Sequence, residues 1–259
     1  MVVREGSLFR WIKKRLRPLF YRYFEYFHLV RAFEWHTISR WLKPVNRDRI
    51  LDIGCGHGHF VRRLWRPGLR IFGVDLNRNG IKIAHQYNSP DGCGFALADA
   101  MDLPFGSEIF DKVMSVCSFE HFADDDRAIK EANRILKKKG RFVLSVDSFS
   151  YPGITASYKE MCRRKHAVCR FYTAEVLKNK LRRLGFKINK DRFLISSPIT
   201  SLGYKLSTFF RWLGIDFMDP FIFLSLFPIS CLTENLLKLR FKEQGYILVM
   251  EAVKVSDPI

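Results

Sequence analysis

The sequence predicts an α/β fold, doubly wound about a mostly parallel seven-stranded sheet, and three observations predict it. Short apolar runs rich in Ile and Val recur over residues 49–146 (RILDIG, RIFGVDL, GFALADA, FDKVMSV, GRFVLSV), each parted from the next by a helix-length stretch. Glycines stand on alternate residues at Gly54, Gly56 and Gly58, where the first run gives way to a helical pattern. Asp75 and Asp99 stand at the ends of the second and third runs. Runs this short are the pattern of buried parallel strands joined by crossover helices.

Composition bounds the rest. The 259 residues carry 44 Lys and Arg against 26 Asp and Glu, a net charge of +18. With 47% hydrophobic and 27% charged residues, a disordered or low-complexity chain is excluded and a core of ordinary size can form. The charge is uneven. Residues 1–49 hold 12 basic and 4 acidic side chains, residues 50–150 hold 14 and 13, and residues 151–259 hold 18 and 9. A neutral middle lies between two basic, aromatic flanks.

Taken in order, residues 1–49 form a helical extension. Leu8, Ile12, Leu16, Phe20, Phe24 and Phe27 recur at helical spacing with basic residues between them, which predicts a basic amphipathic pattern running to Lys43, in two helices parted near Pro18. The core spans residues 50–198, with helices over His59–Trp65, Asn79–Gln86, Asp125–Leu136 and Ala174–Leu184, a loop-rich stretch after Val146, and a sixth strand over Phe186–Ile195. Residues 199–240 are an apolar insertion before the last strand. Within it, Phe217–Leu232 is too short to span a bilayer and is interrupted by Asp219, Pro220 and Pro228, so an interfacial hairpin or the lid of an apolar pocket is expected. Residues 241–259 hold the final strand, Tyr246–Val255, and a tail.

Six scattered cysteines without a C-x-x-C pair read as reduced thiols, and the charged N-terminus lacks the apolar stretch of a secretory signal, so a cytoplasmic protein is expected. Cys162, His166 and Cys169 have no fourth partner at zinc-site spacing, and no metal site is expected.

The segment Leu51-Asp52-Ile53-Gly54-Cys55-Gly56-His57-Gly58 is a strand-to-helix turn whose glycines permit positive φ and let a ligand approach the backbone. A dinucleotide fingerprint would place its third glycine one residue later. Asp75, 23 residues beyond Asp52, suits a ribose diol, and Asp99 suits an adenine amino group.

LDIGCGHG, VDLN, DAMDLPF, FDKVMSVCSFEHFADD, EANRILKKKGRFVLSV and RFYTAEVLKNKLRRLGF together resemble, in order, the motifs of the class I S-adenosylmethionine-dependent methyltransferases, over residues 50–190. The resemblance implies a Rossmann-like methyltransferase fold and S-adenosyl-L-methionine as cofactor. It assigns the methionine part to Asp52, Gly54, Cys55, Gly56 and Gly58, the ribose to Asp75 with Leu76, the adenine to Asp99 with the Ala100 and Met101 backbone, and a further contact to Cys117. Lys138-Lys139-Gly140 departs from the family's Pro-Gly-Gly at a surface turn.

Methyl transfer from a sulfonium is an in-line displacement that needs alignment and dryness, and a base only when the acceptor must lose a proton. Glu120 and His121 border the transfer site in the resembling family, as base or orienting groups, or else simply begin a loop. His166 stands near a substrate-side position, or in a solvated basic loop. The aromatic, basic flanks favour an apolar or lipid-like acceptor met at an anionic membrane surface. Two alternatives stay open: methylation of RNA or other nucleic acid, and a non-catalytic cofactor-binding scaffold or membrane adaptor.

Overall fold

A computed structural model describes residues 28–212, 219–236 and 244–257. The chain runs α1 (Leu29–Leu42), β1 (Arg49–Ile53), α2 (His59–Leu64), β2 (Arg70–Asp75), α3 (Arg78–Tyr87), β3 (Cys93–Leu97), β4 (Phe110–Val116), a 3-10 turn (Phe119–His121), α4 (Asp125–Ile135), β5 (Leu136–Asp147), α5 (Ala156–His166), α6 (Ala174–Arg183), β6 (Phe186–Leu194), α7 (Pro198–Trp212), α8 (Asp219–Leu236) and β7 (Ile247–Lys254).

The seven strands form one sheet in the order β3-β2-β1-β4-β5-β7-β6. Neighbours from β3 to β5 are parallel, and β7 is antiparallel to both β5 and β6. The strand order therefore reverses between β1 and β4, which opens a crevice at the carboxyl ends of those strands, where open α/β sheets bind ligands. One face of the sheet buries Ala128, Ile129 and Ala132 of α4 with Leu177 and Leu181 of α6. The other buries Leu29, Phe33, Ile38 and Leu42 of α1 with Val61 of α2 and Ile81 of α3.

Helix α1 packs on β4, β5, β6 and β7 and touches α7 and α8, so this part of the N-terminal extension lies on the core. The expected division near Pro18 lies outside the described residues. Two expectations change. The loop-rich stretch after Val146 contains α5, capped by Thr155, whose hydroxyl accepts from the Tyr158 amide. Its only buried side chain is Cys162, so apolar periodicity, the signal that marks other helices, is missing. The prolines do not break the apolar insertion: Pro220 sits in the first turn of α8, where a missing N–H costs nothing, and Pro228 is carried inside the helix. Phe223 stacks on Phe227, which meets Phe33 of α1, and this packing holds α8 through Pro228. None of the helices among the described residues is long and apolar enough to cross a membrane.

Helices α7 and α8 pack on each other. Gly203 lets α7 approach α1, since a Cβ there would come within 2.6 Å of Leu29 Cδ2. The expected surface turn at Lys138-Lys139-Gly140 lies within β5, at a register shift against β4; positive φ falls there on Lys139 (63°), and a Cβ on Gly140 would lie 2.6 Å from the Lys137 carbonyl.

Candidate active site

The reversal of strand order opens into a cleft of about 570 Å³. Its floor is the turn after β1. Gly54, Gly56 and Gly58 all take positive φ, at 76°, 53° and 78°. Gly54 and Cys55 both donate their amides to the Val74 carbonyl, at 2.8 and 2.9 Å, which ties the turn to β2. A Cβ on Gly54 would collide with the Ser118 side chain, and one on Gly58 would lie 2.6 Å from the Phe95 ring. Above Gly56 a Cβ would meet nothing within 4 Å, so that residue faces open space.

Three strand-end carboxylates converge on the cleft. Asp75 accepts from the Gly56 amide at 2.8 Å and from the Asn77 amide at 2.7 Å, which aims it while leaving lone pairs for a ligand. Asp99 accepts from the Met101 amide at 2.8 Å, and that N–H orients the carboxylate. Asp52 is buried, and its Oδ1 has no hydrogen-bond partner among the described residues. Burial first, and then the charge of Asp75, push its carboxyl up to about 8.

Asp52, Gly54, Cys55, Gly56, Asp75, Leu76, Asp99, Ala100, Met101 and Cys117 all line the cleft; Gly58 supports the turn from behind. His121 also lines it, exposed, with its Nδ1 3.3 Å from the Ala167 carbonyl. His166 does not line it: it is exposed at the end of α5. Glu120 is fully buried beneath the wall, its Oε1 accepting from the Asp147 amide at 3.2 Å and its carbonyl accepting from the Cys169 amide at 2.8 Å. The helix that follows, α4, is capped by Asp124, whose side chain accepts from the Arg127 amide.

Residues that local patterns did not reveal complete the wall. Arg31 of α1 lines the cleft and donates to Glu34 at 2.8 Å. Buried Glu34 accepts from the Cys117 thiol at 2.8 Å and the Ser145 hydroxyl at 2.7 Å. Cys117 holds φ of 45°, and its amide donates to the Ser145 carbonyl at 3.0 Å. Burial, reinforced by Glu34 and Glu120, pushes the Cys117 thiol well above its usual range, so it is a neutral wall and donor, not a nucleophile.

A family profile described as "methyltransferase domain" matches residues 51–144. An O-methyltransferase of Aspergillus nomiae is 30% identical over 165 residues, 58% of this chain and 69% of that protein. The chain belongs to the class I S-adenosylmethionine-dependent methyltransferases. A demethylmenaquinone methyltransferase of Thermotoga maritima is 34% identical over 142 residues, which cover 51% of this chain and 61% of that one. The methyltransferase chain thus spans about three fifths of that relative's length. A methyltransferase of Mesorhizobium loti, solved as a crystal structure, superposes with a TM-score of 0.61 at 20% identity, covering 85% of this chain and 97% of that one; it is similar in fold.

The cleft of the methyltransferase fits the family's cofactor on its own geometry. The unpartnered, buried Asp52 oxygen asks for a cationic donor, which the amino group of a methionine supplies. The open space over Gly56 admits a chain lying on the backbone, and Asp75 keeps acceptor capacity for a diol.

Proposed function

We propose that this methyltransferase moves a methyl group from S-adenosylmethionine to an apolar, lipid-like acceptor at an anionic membrane surface. The reading of the acceptor rests on the α7–α8 pair, whose polarity is reversed. Thr200, Ser201, Ser207, Asp219, Ser230 and Glu234 are buried, while Leu202, Phe209, Phe221, Leu224, Ile229 and Leu232 are exposed. Glu234 accepts from the amides of Ser196 and Ser197, at 2.7 and 2.8 Å, and from the Thr200 hydroxyl at 2.5 Å. Polar groups inside and apolar groups outside suit an environment less polar than water.

The occupant we assign to that face is an anionic lipid surface, because both flanks are basic and the +8 of residues 1–49 joins the described structure here. The His28 ring, at the start of α1, lies 3.3 Å from the Ser207 hydroxyl, and Ser207 donates to Asp219. Thermotoga's relative, which is named for demethylmenaquinone, is in keeping with an apolar acceptor.

The chain's own groups would do three things: hold the cofactor through Asp52, the glycine turn, Asp75 and Asp99; exclude water with Phe60, Met101 and Phe122; and align the acceptor from the side of α1, whose Arg31 lines the cleft. The bound cofactor supplies the methyl group and a good leaving group. A base is needed only if the acceptor sheds a proton, and of the two expected candidates His121 is the one that lines the cleft.

One observation favours the nucleic-acid alternative. A second cavity, about 410 Å³ between α1 and β6, is lined by His36, Thr37, Arg40, Trp41, Lys43, Lys190 and Arg192, with no carboxylate among them. The test is to offer radiolabelled S-adenosylmethionine with a total lipid extract and, in parallel, an RNA pool. Label entering the lipid fraction is the expected outcome; label in RNA with none in lipid would overturn the acceptor assignment.

A further inference from the structure

Behind the wall that Cys117 presents to the cleft lies an acidic cluster with no role in holding the cofactor. The Cys117 sulfur and one carboxylate oxygen each of Glu120 and Asp147 lie within 4.8 Å of one another. Glu34 adds a third carboxyl through its bond to Cys117. The Glu120 Oε2 atom is buried and has no hydrogen-bond partner among the described residues.

The surrounding charges do not balance this cluster. Arg31 of α1 faces Asp147 and is already paired with Glu34. From α5 and α7, Cys162 and Tyr204 meet Asp147, and burial keeps both neutral by raising them. The nearby Arg170 guanidinium is 2.7 Å from Asp125, and the His121 ring turns to the Ala167 carbonyl. Among the described residues, three carboxyls thus share one arginine, with Glu34 and Glu120 fully buried and Asp147 half-buried. Like charges this close cannot all ionise, so a proton is held among them. Burial and then Asp147 push Glu120 well above the usual carboxylate range, and burial and then Glu34 push Asp147 up to about 7.

A carboxyl pair left incompletely neutralised, with Glu120 fully buried and incompletely bonded and Asp147 half-buried, is costly as a structural device. Its position against the cleft gives it a use. We propose that Glu120 and Asp147 are a shared-proton carboxyl pair that serves as counter-charge to the sulfonium of S-adenosylmethionine, giving up its proton to solvent when that cation is bound and keeping it when the neutral thioether product is bound. This rests on the cofactor reading above. The pair then regains its proton when the positive charge is lost, which matches the proton that a hydroxyl or amine acceptor must shed on methylation, so the net charge of the dry site stays constant through the cycle.

The test needs no acceptor. Calorimetric titration near pH 7, in phosphate and in Tris, whose ionisation enthalpies differ, counts the protons exchanged on binding. The probes are S-adenosylmethionine and S-adenosylhomocysteine. They share amino and carboxyl groups, so protons exchanged there, including any taken from Asp52, cancel in the difference. The sulfonium ligand should release on the order of half a proton more than the thioether. Asp147→Asn and Glu120→Gln should each abolish that difference and lower the preference for the sulfonium over the thioether about tenfold. Thioether affinity within about twofold of wild type shows that a variant is folded. In the wild type the preference should fall as pH drops through about 7, the value for Asp147. Equal proton exchange by the two ligands, or a difference that survives both substitutions, would overturn the proposal while leaving the cofactor reading intact. Failure of either ligand to bind would remove both.

Discussion

The cofactor cleft and the α7–α8 pair solve the same problem, how to place polar groups inside a protein, in opposite ways. In the cleft, the strands around it bury aliphatic side chains, and the polar groups gather at strand ends where a ligand reaches them. In α7–α8 a set of polar groups is sealed between helices, and Leu202, Phe209, Phe221, Leu224, Ile229 and Leu232 are turned outward while Ile222, Phe223 and Phe227 pack inward. The first arrangement makes a site for a polar, charged small molecule. The second makes a surface for something apolar. An enzyme that joins a water-soluble donor to a lipid-like acceptor needs both, and α1 touches both regions: Arg31 lines the cleft while Phe33 meets Phe227 of α8.

The comparison breaks first, and by the largest effect, at the glycine turn. Gly54→Val adds a branched side chain at φ of 76°, where its Cβ would collide with Ser118. Affinity for S-adenosylhomocysteine should drop by more than about 100-fold, roughly 3 kcal/mol, in a calorimetric titration. Vesicle binding through α7–α8 should be unaffected, and joint loss of both would mean that the two regions are not separable.

On the hairpin side, Glu234→Leu removes the acceptor of two buried amides and two hydroxyls. Donors left unsatisfied cost about 1–3 kcal/mol each, so stability should fall by at least about 3 kcal/mol in denaturant titration. An unchanged midpoint would show that the buried polar set is not what holds the two helices together. The complementary change is on the outer face. Phe221→Asp, Leu224→Asp and Leu232→Asp together should reduce sedimentation with phosphatidylglycerol vesicles at least tenfold while shifting stability by no more than about 0.5 kcal/mol per site, as exposed positions do. A loss of self-association in place of vesicle binding would assign that face to a second copy of the chain.

The two regions also differ in how far the sequence reveals them. All seven strands and the carboxylates that line the cleft are legible because their signals are local: Ile and Val runs, alternate glycines, and acids at strand ends. The wall contributed by Glu34 is not, because it meets Cys117 and Ser145 across 83 and 111 residues, and no periodicity reports on partners so distant. The one local clue is an acid inside the apolar stretch of α1. The reversed polarity of α7–α8 is hidden for a related reason: a helical pattern reveals two faces but not which of them the rest of the chain will cover. Pro228 points toward a break only until Phe33, Phe223 and Phe227 are seen packed together.

The smallest expected effect sharpens the electrostatic side of the comparison. Burial raises Asp52 to about 8 and Asp147 to about 7, against about 3.9 for an unfolded aspartate. A folded state that holds protons the unfolded state has lost is favoured at low pH. The contribution of these two groups to stability therefore declines as pH rises from about 4 and levels off above about 8. Asp52→Asn removes the titration at one site, so the ligand-free variant should lose less thermal stability than wild type between pH 6 and pH 8.5. At pH 8.5 it should melt slightly above wild type, although it binds S-adenosylhomocysteine worse. If Asp52→Asn melts in parallel with wild type across that range, the unpartnered carboxyl is not strained without ligand, and the case for a cationic group seated on it loses its physical basis.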